Sequence, residues 1–362
     1  MISLSKVITA VRFPMILLVV LLHTIILGQT CLGEVYIREG DNPVFDGAAY
    51  TLLRCIGDVA VPMFFFISGY LFFLCKGEFT FDVWKSKVKR RVGTLLVPYI
   101  LWNAIYLLYL LLIYYLFPSI QTSSSDFIKN FTVGSVVTAF WGGLYECPVL
   151  APLWFIRNLM VLVLFSYPIY FVIRRVPALL YVLLLSLFGL WIFKIGLDVF
   201  GVGVHSSLFY VMGAFFSIKQ VDLMRLISRY AKFVCLLYCM MVVADVILWR
   251  NGWEWLSYYH QFLLIIGLFA MFGVIYLLAK YSDSFFRFIS SLAKYSFFVY
   301  AAHMFIMNIP NKFWPLLLPV NTFTLISMQI LIPIFVSFLL IMLYKGLDRI
   351  APRCLSVLCG GR

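Results

Sequence analysis

The feature that most limits this chain is a succession of apolar runs, each close to the ~20 residues that an α-helix needs to cross a hydrocarbon layer about 30 Å thick. They fall near residues 8–28, 55–75, 93–117, 151–173, 177–194, 202–218, 232–249, 259–280, 290–310 and 322–344. Lipid offers no partner for an open backbone, so only helices or closed barrels cross it. Runs that are apolar on every face, rather than alternating, select helices. Charged residues make up 12% of the 362 and hydrophobic residues 64%, whereas a globular protein carries about 25% charge. The chain is therefore read as an all-α membrane protein, a polytopic bundle of about ten transmembrane helices.

The connections support that reading independently. Lys and Arg collect in cytoplasmic loops, and alternate connections here hold twenty and six of them, with Arg12 and Arg157 left inside runs. Both termini are accordingly expected on the cytoplasmic side, and the net charge of +13 reflects topology rather than nucleic-acid binding. The expected organisation is one integral membrane domain over residues 1–350 and a short basic cytoplasmic tail over 351–362. A signal peptide is the rival reading of the first run, because Lys6 and Arg12 precede apolar residues, but Gly28-Gln29-Thr30 is a poor cleavage site. The longest outer connection, 118–150, contains a moderately apolar stretch from Phe127 to Phe140 that suits a short interfacial helix.

Eight cysteines are spread without the spacing of a zinc site, and no metal is expected. Cys31, Cys55 and Cys147 fall on the outer side, where disulfides survive. One bridge, with Cys31 and Cys55 the simplest pair, and three reduced thiols are the two readings.

Ionisable groups inside lipid are costly and tend to face one another or a wet cavity. Arg12 and His23 lie eleven residues apart, three turns plus about 20°, which puts them on one helix face about 16 Å apart along the axis. His303, Arg157 and Asp245 sit in other runs at middle or outer depth. Each also has a plainer reading: Arg12 as an interfacial anchor, His23 and His303 as packing groups, Arg157 and Asp245 as a satisfied pair. His205 and His260 are read as ordinary interfacial residues. On the cytoplasmic side Lys85, Lys87, Lys89, Arg90 and Arg91 crowd the start of the third run, where Lys and Arg donors suit phosphate oxygens. No glycine-rich phosphate loop accompanies them, so ATP hydrolysis is not expected. A long, thin donor such as an acyl-coenzyme A fits a basic inner end and an imidazole in the outer half.

Five short patterns, in order along the chain, then acquire meaning together. They are Arg12 with His23, the aromatic run Val61–Phe72 around Ser68-Gly69, the basic stretch Lys89–Asn103 leading into Pro98-Tyr99 and Trp102, Pro152-Leu153-Trp154-Phe155, and Tyr300-Ala301-Ala302-His303. The set resembles acyltransferase family 3, bacterial membrane O-acyltransferases that modify surface glycans, although the late His pattern lacks the usual His-Pro ending. The resemblance implies transfer of an acyl group, acetyl being expected, from cytoplasmic acetyl-CoA to a glycan or lipid-linked sugar outside the bacterial inner membrane. It implies Arg12 and His23 as the core of the site, with Arg90 or Arg91 on the donor side; side-chain chemistry then makes His23 the general base or acyl carrier, with Arg157 and His303 as further catalytic residues. Arg12, Lys89, Arg90 and Arg91 become the donor-binding residues; no permanently bound cofactor and no metal are expected. The partners implied are acyl-CoA, the saccharide acceptor and membrane lipids, without nucleic acid. The rival from another class is a transporter of polysaccharide or lipid-linked sugar, whose path such buried charges would line.

Overall fold

A computed structural model describes residues 2–31, 33–75, 77–116, 128, 132–142, 147–196 and 201–361. Apart from an antiparallel pair of two-residue strands, Thr30–Cys31 with Glu34–Val35, the regular structure of these residues is helical. Among the described residues six helices are long and apolar enough to cross a membrane: Leu4–Leu22, Pro43–Phe73, Phe81–Leu116, Leu223–Arg250, Leu256–Tyr281 and Thr322–Ile350. The pair Ala151–Leu164 and Ser166–Arg175, bent by 56°, passes the same test when taken together and makes a seventh if it is one span. Two shorter apolar helices, Ala178–Ile192 and Val204–Ile218, occupy the fifth and sixth apolar runs. The ninth run is divided, with helices Ser296–Ala302 and Met304–Phe313 on either side of His303. The chain is thus an all-α membrane protein.

The chain forms two compact units, residues 1–67 with 219–346, and residues 68–218 with 347–362. In unit one the helices Leu223–Arg250 and Leu256–Tyr281 pack along each other, and Leu4–Leu22 lies against the second of them. Gly267 makes this close approach feasible, since an added Cβ there would stand 2.7 Å from Val59 Cγ2 and 2.8 Å from the Tyr238 ring. Thr51–Ile56 is a π-helix and Gly57–Val59 a 3-10 turn, so the second long helix is irregular for nine consecutive residues.

Unit two shows what the aromatic and Pro-Tyr patterns do. A Cβ at Gly69 would meet the Tyr210 carbonyl oxygen at 2.1 Å, so the helix Val204–Ile218 approaches only because residue 69 has no side chain. Asn103 is fully buried; its Nδ2 donates to the Tyr99 carbonyl at 2.9 Å and its Oδ1 accepts from the Leu150 amide at 3.2 Å. Tyr99 donates to the Phe140 carbonyl. The amide that opens the Pro-Leu-Trp-Phe segment is therefore held by the preceding pattern. Within the 118–150 connection a helix does form, Val133–Trp141, begun by a reciprocal cap between Thr132 and Ser135; Phe127, where the expected helix starts, lies outside the described residues. The last residues, expected as a tail, include the helix Pro352–Leu358, and Trp102 Nε1 donates to the Leu358 carbonyl at 3.0 Å.

Candidate functional site

The first helix begins with Ser3 as its cap and stops at Leu22, six residues short of the apolar run that predicts it. The cause is local. His23 Nδ1 lies 2.8 Å from the Val19 carbonyl oxygen, and Thr24 Oγ1 donates to the Val20 carbonyl at 3.1 Å. Side chains thus take carbonyls that the next helical turn would have used. The carbonyls left behind are also met: Asn311 Nδ2 donates to His23 O at 3.1 Å, and Gln329 Nε2 to Thr24 O at 2.7 Å. A helix end buried with its carbonyls paired is stable where an unpaired one is not. His23 accordingly stands at the end of the first span rather than well inside it, and Arg12, half-buried, lies two turns into the helix rather than at its start.

His303 interrupts its own helix in the same way. Its Nδ1 lies 2.6 Å from the Tyr300 carbonyl oxygen. A carbonyl only accepts, so in both residues the hydrogen is assigned to Nδ1 and the lone pair to Nε2. The two rings meet, centroids 4.9 Å apart and planes at 62°. His303 is fully buried, and its Nε2 has no hydrogen-bond partner among the described residues. Two imidazoles in contact, with their Nε2 atoms unpaired among the described residues, form one of the polar clusters of unit one.

A polar shell fixes this pair. Asn311 is buried, and while its Nδ2 holds the His23 carbonyl its Oδ1 lacks a partner among the described residues. Tyr36 donates to the Asn311 carbonyl at 2.8 Å and accepts from Trp314 Nε1 at 3.3 Å. Burial pushes the Tyr36 phenol up to about 12, so it remains a donor at neutral pH.

The other expected site residues belong to unit two. Arg157 is buried; its guanidinium donates to the Trp141 carbonyl at 2.5 Å and to Asn158 Oδ1 at 3.2 Å. Lys89, Arg90 and Arg91 form the last turn of helix Phe81–Arg91, where positive charge offsets the helix dipole; Lys89 and Arg90 are exposed and Arg91 half-buried. Lys87 has a structural task, since its Nζ donates to the carbonyls of Phe72 at 2.5 Å and Leu74 at 2.9 Å. It closes the end of the helix Ala60–Phe73.

Reading the sequence missed Asn311 and Gln329, whose signal was an amide just past the ninth apolar run and another inside the tenth. It also placed His260 at an interface, whereas His260 is buried and its Nδ1 bonds the Asp245 carboxylate at 3.1 Å. Asp245 therefore pairs with a histidine. Cys31 and Cys55 stand as separate thiols. Among the described residues no group of three or more His, Cys, Asp or Glu side chains is placed to hold a metal ion.

No curated protein and no solved structure gives a significant match to the chain. The family model for acyltransferase family 3, described as an acyltransferase domain, matches residues 6–344. That span includes all but the first two residues of the first helix, both helix breaks and the imidazole pair, and on its extent the chain belongs to acyltransferase family 3.

Proposed function

We propose that the protein moves an acyl group, acetyl in the simplest case, from cytoplasmic acyl-CoA to a hydroxyl of a glycan or lipid-linked sugar on the far side of a bacterial inner membrane. Family membership supports acyl transfer by a membrane protein. The observation that carries the chemistry is the His23–His303 pair, with both Nδ1 hydrogens engaged and both Nε2 lone pairs left over. In the proposed step His23 Nε2 takes the proton of the acceptor hydroxyl as its oxygen attacks the thioester carbon. The carbon–sulfur bond then breaks, and the proton passes from His23 to the departing thiolate, so that ester and free thiol leave together and the enzyme is unchanged.

His303 supplies a second acceptor. His303 Nε2 and Asn311 Oδ1, which have no partner among the described residues, are proposed to accept hydrogen bonds from the saccharide's hydroxyls. Lys89, Arg90 and Arg91 are proposed for the donor's phosphates, as is Arg12, and Arg157 for the oxyanion, on the chemistry of their side chains. The ten-span arrangement with both termini cytoplasmic belongs to the same proposal.

The test uses the protein in proteoliposomes with radiolabelled acetyl-CoA and a mixture of surface-glycan acceptors. Labelled ester and released thiol are expected in equal amounts from the wild type, and at least a hundredfold less from folded His23→Ala. Equal transfer by that variant would refute the mechanism.

A further inference from the structure

In unit one a second buried polar cluster surrounds the irregular stretch of the second long helix. Asp245 is fully buried, and a single oxygen, Oδ2, accepts three hydrogen bonds: from Tyr50 Oη at 2.8 Å, from His260 Nδ1 at 3.1 Å and from Cys55 Sγ at 3.3 Å. Tyr50 immediately precedes the π-helix and Cys55 lies within it. Tyr238 adds a bond from its hydroxyl to the Cys55 carbonyl at 2.6 Å. The far ring nitrogen of His260 faces Asp58 Oδ2 at 3.7 Å, and Arg54 pairs with the same oxygen at 2.8 Å. Seven side chains thus form one connected polar cluster around nine residues of backbone that depart from α-helical geometry.

A carboxylate stripped of water is expensive, and removing it from a set of three donors leaves those donors unpaired in turn. Such a site persists where it fixes a conformation that packing alone does not. What it fixes is visible on the other side of the segment. A Cβ at Gly57 would stand 2.7 Å from Leu22 Cδ2, so the 3-10 turn presses directly on the last residue of the first helix. The next residue is His23. Single-turn π insertions are frequent at functional sites, and here the irregular stretch sets where Gly57 meets Leu22.

We infer that Asp245, through Tyr50, Cys55 and His260, is a positioning group for His23: it locks the π and 3-10 turns, and Gly57 on Leu22 sets the placement of the imidazole against His303. The inference rests on the proposed role of His23 only for its consequence on rate, and the placement itself is measurable without catalysis.

The experiment follows the carbethoxylation rate of each histidine by peptide mass spectrometry in the full chain in proteoliposomes, alongside acetyl transfer. Tyr50→Phe, which removes one donor gently, Asp245→Asn and Gly57→Ala are compared with wild type. At least a threefold change in the His23 rate is expected in each, with His205 constant as a check on folding. The rate constant kcat is expected to fall about tenfold while KM for acetyl-CoA holds within twofold. Should Asp245→Asn prove unfolded, with all histidines reacting faster, Tyr50→Phe and Gly57→Ala decide the matter. A His23 rate unchanged within twofold in those folded variants, with only His260 altered, would overturn the inference. If wild type transfers no acetyl group but the His23 rate still changes, the positioning stands and the acyl-transfer reading falls.

Discussion

Both histidines of the candidate site spend Nδ1 on a carbonyl of their own helix, Val19 for His23 and Tyr300 for His303. His205 is the contrast: its Nδ1 accepts from Trp191 Nε1 at 3.1 Å, which puts its hydrogen on Nε2. Nitrogen-15 NMR of histidine-labelled protein near pH 8 should therefore show Nδ1–H for His23 and His303 and Nε2–H for His205, assigned by single substitutions. The same tautomer in all three would contradict the assigned bonds. Asn311 gives a second prediction, because Asn311→Leu removes the only side-chain donor bonded to the His23 carbonyl among the described residues. A buried acceptor left unpaired costs roughly 1–3 kcal/mol, and the detergent-solubilised variant should melt lower, with a denaturation midpoint equal to wild type counting against the bond. At this scale the sequence was informative where charge met lipid. Arg12 and His23 stood out because such residues are costly there; Asn311 and Gln329 did not, because one amide at the edge of an apolar run or within it is compatible with ordinary helix packing, and its partners are backbone carbonyls that carry no residue identity.

Among elements, the apolar runs located the helices and missed where they break. Ile25, Ile26 and Leu27 continue the hydropathy of the first run, yet the helix has already ended. Hydropathy reports apolarity and not helicity: Thr24 and Ile26 are buried in a non-helical segment held by the Asn311 and Gln329 amides, while Ile25 is exposed. The same limit hid the interruption at His303 and the π-helix Thr51–Ile56. Glycine is more legible, because its effect is steric. Gly69 sits under the Tyr210 carbonyl with 2.1 Å left for any Cβ, and the obstacle is backbone, which has no rotamer to yield. Gly69→Ala should force the helix Val204–Ile218 away and cost about 1–3 kcal/mol or more, as overpacking does. Gly189→Ala, where an added Cβ meets nothing within 4 Å, is the control and should melt with wild type or slightly above it. Equal melting of the two variants would mean that the two helices do not approach as described.

For the whole molecule the open quantity is how often the chain crosses the membrane. Length and composition give six spanning helices, or seven with the bent pair, while charge alternation needs ten. The difference lies in segments that are short, as in Ala178–Ile192 and Val204–Ile218, or divided, as at His303. Fifteen residues of helix rise about 22 Å, less than a hydrocarbon core of about 30 Å, but a bilayer accommodates a short span by thinning locally and by snorkelling of flanking charges. Lys219 and Arg174-Arg175 flank these helices and can act in that way. If both short helices cross, Lys219 lies on the same side as the amino terminus and Gln121, outside the described residues, on the opposite side. Single cysteines at these two positions, placed in a variant with the eight native cysteines replaced, should react with a membrane-impermeant maleimide from opposite faces of oriented vesicles. Labelling of both from one face would remove a crossing between them. Because both short helices crossing or neither crossing leaves the two positions opposed, that outcome would place the failure of charge alternation at a single one of the segments between them, the bent pair or one short helix, and the assignment of both termini to the cytoplasm would fall with it.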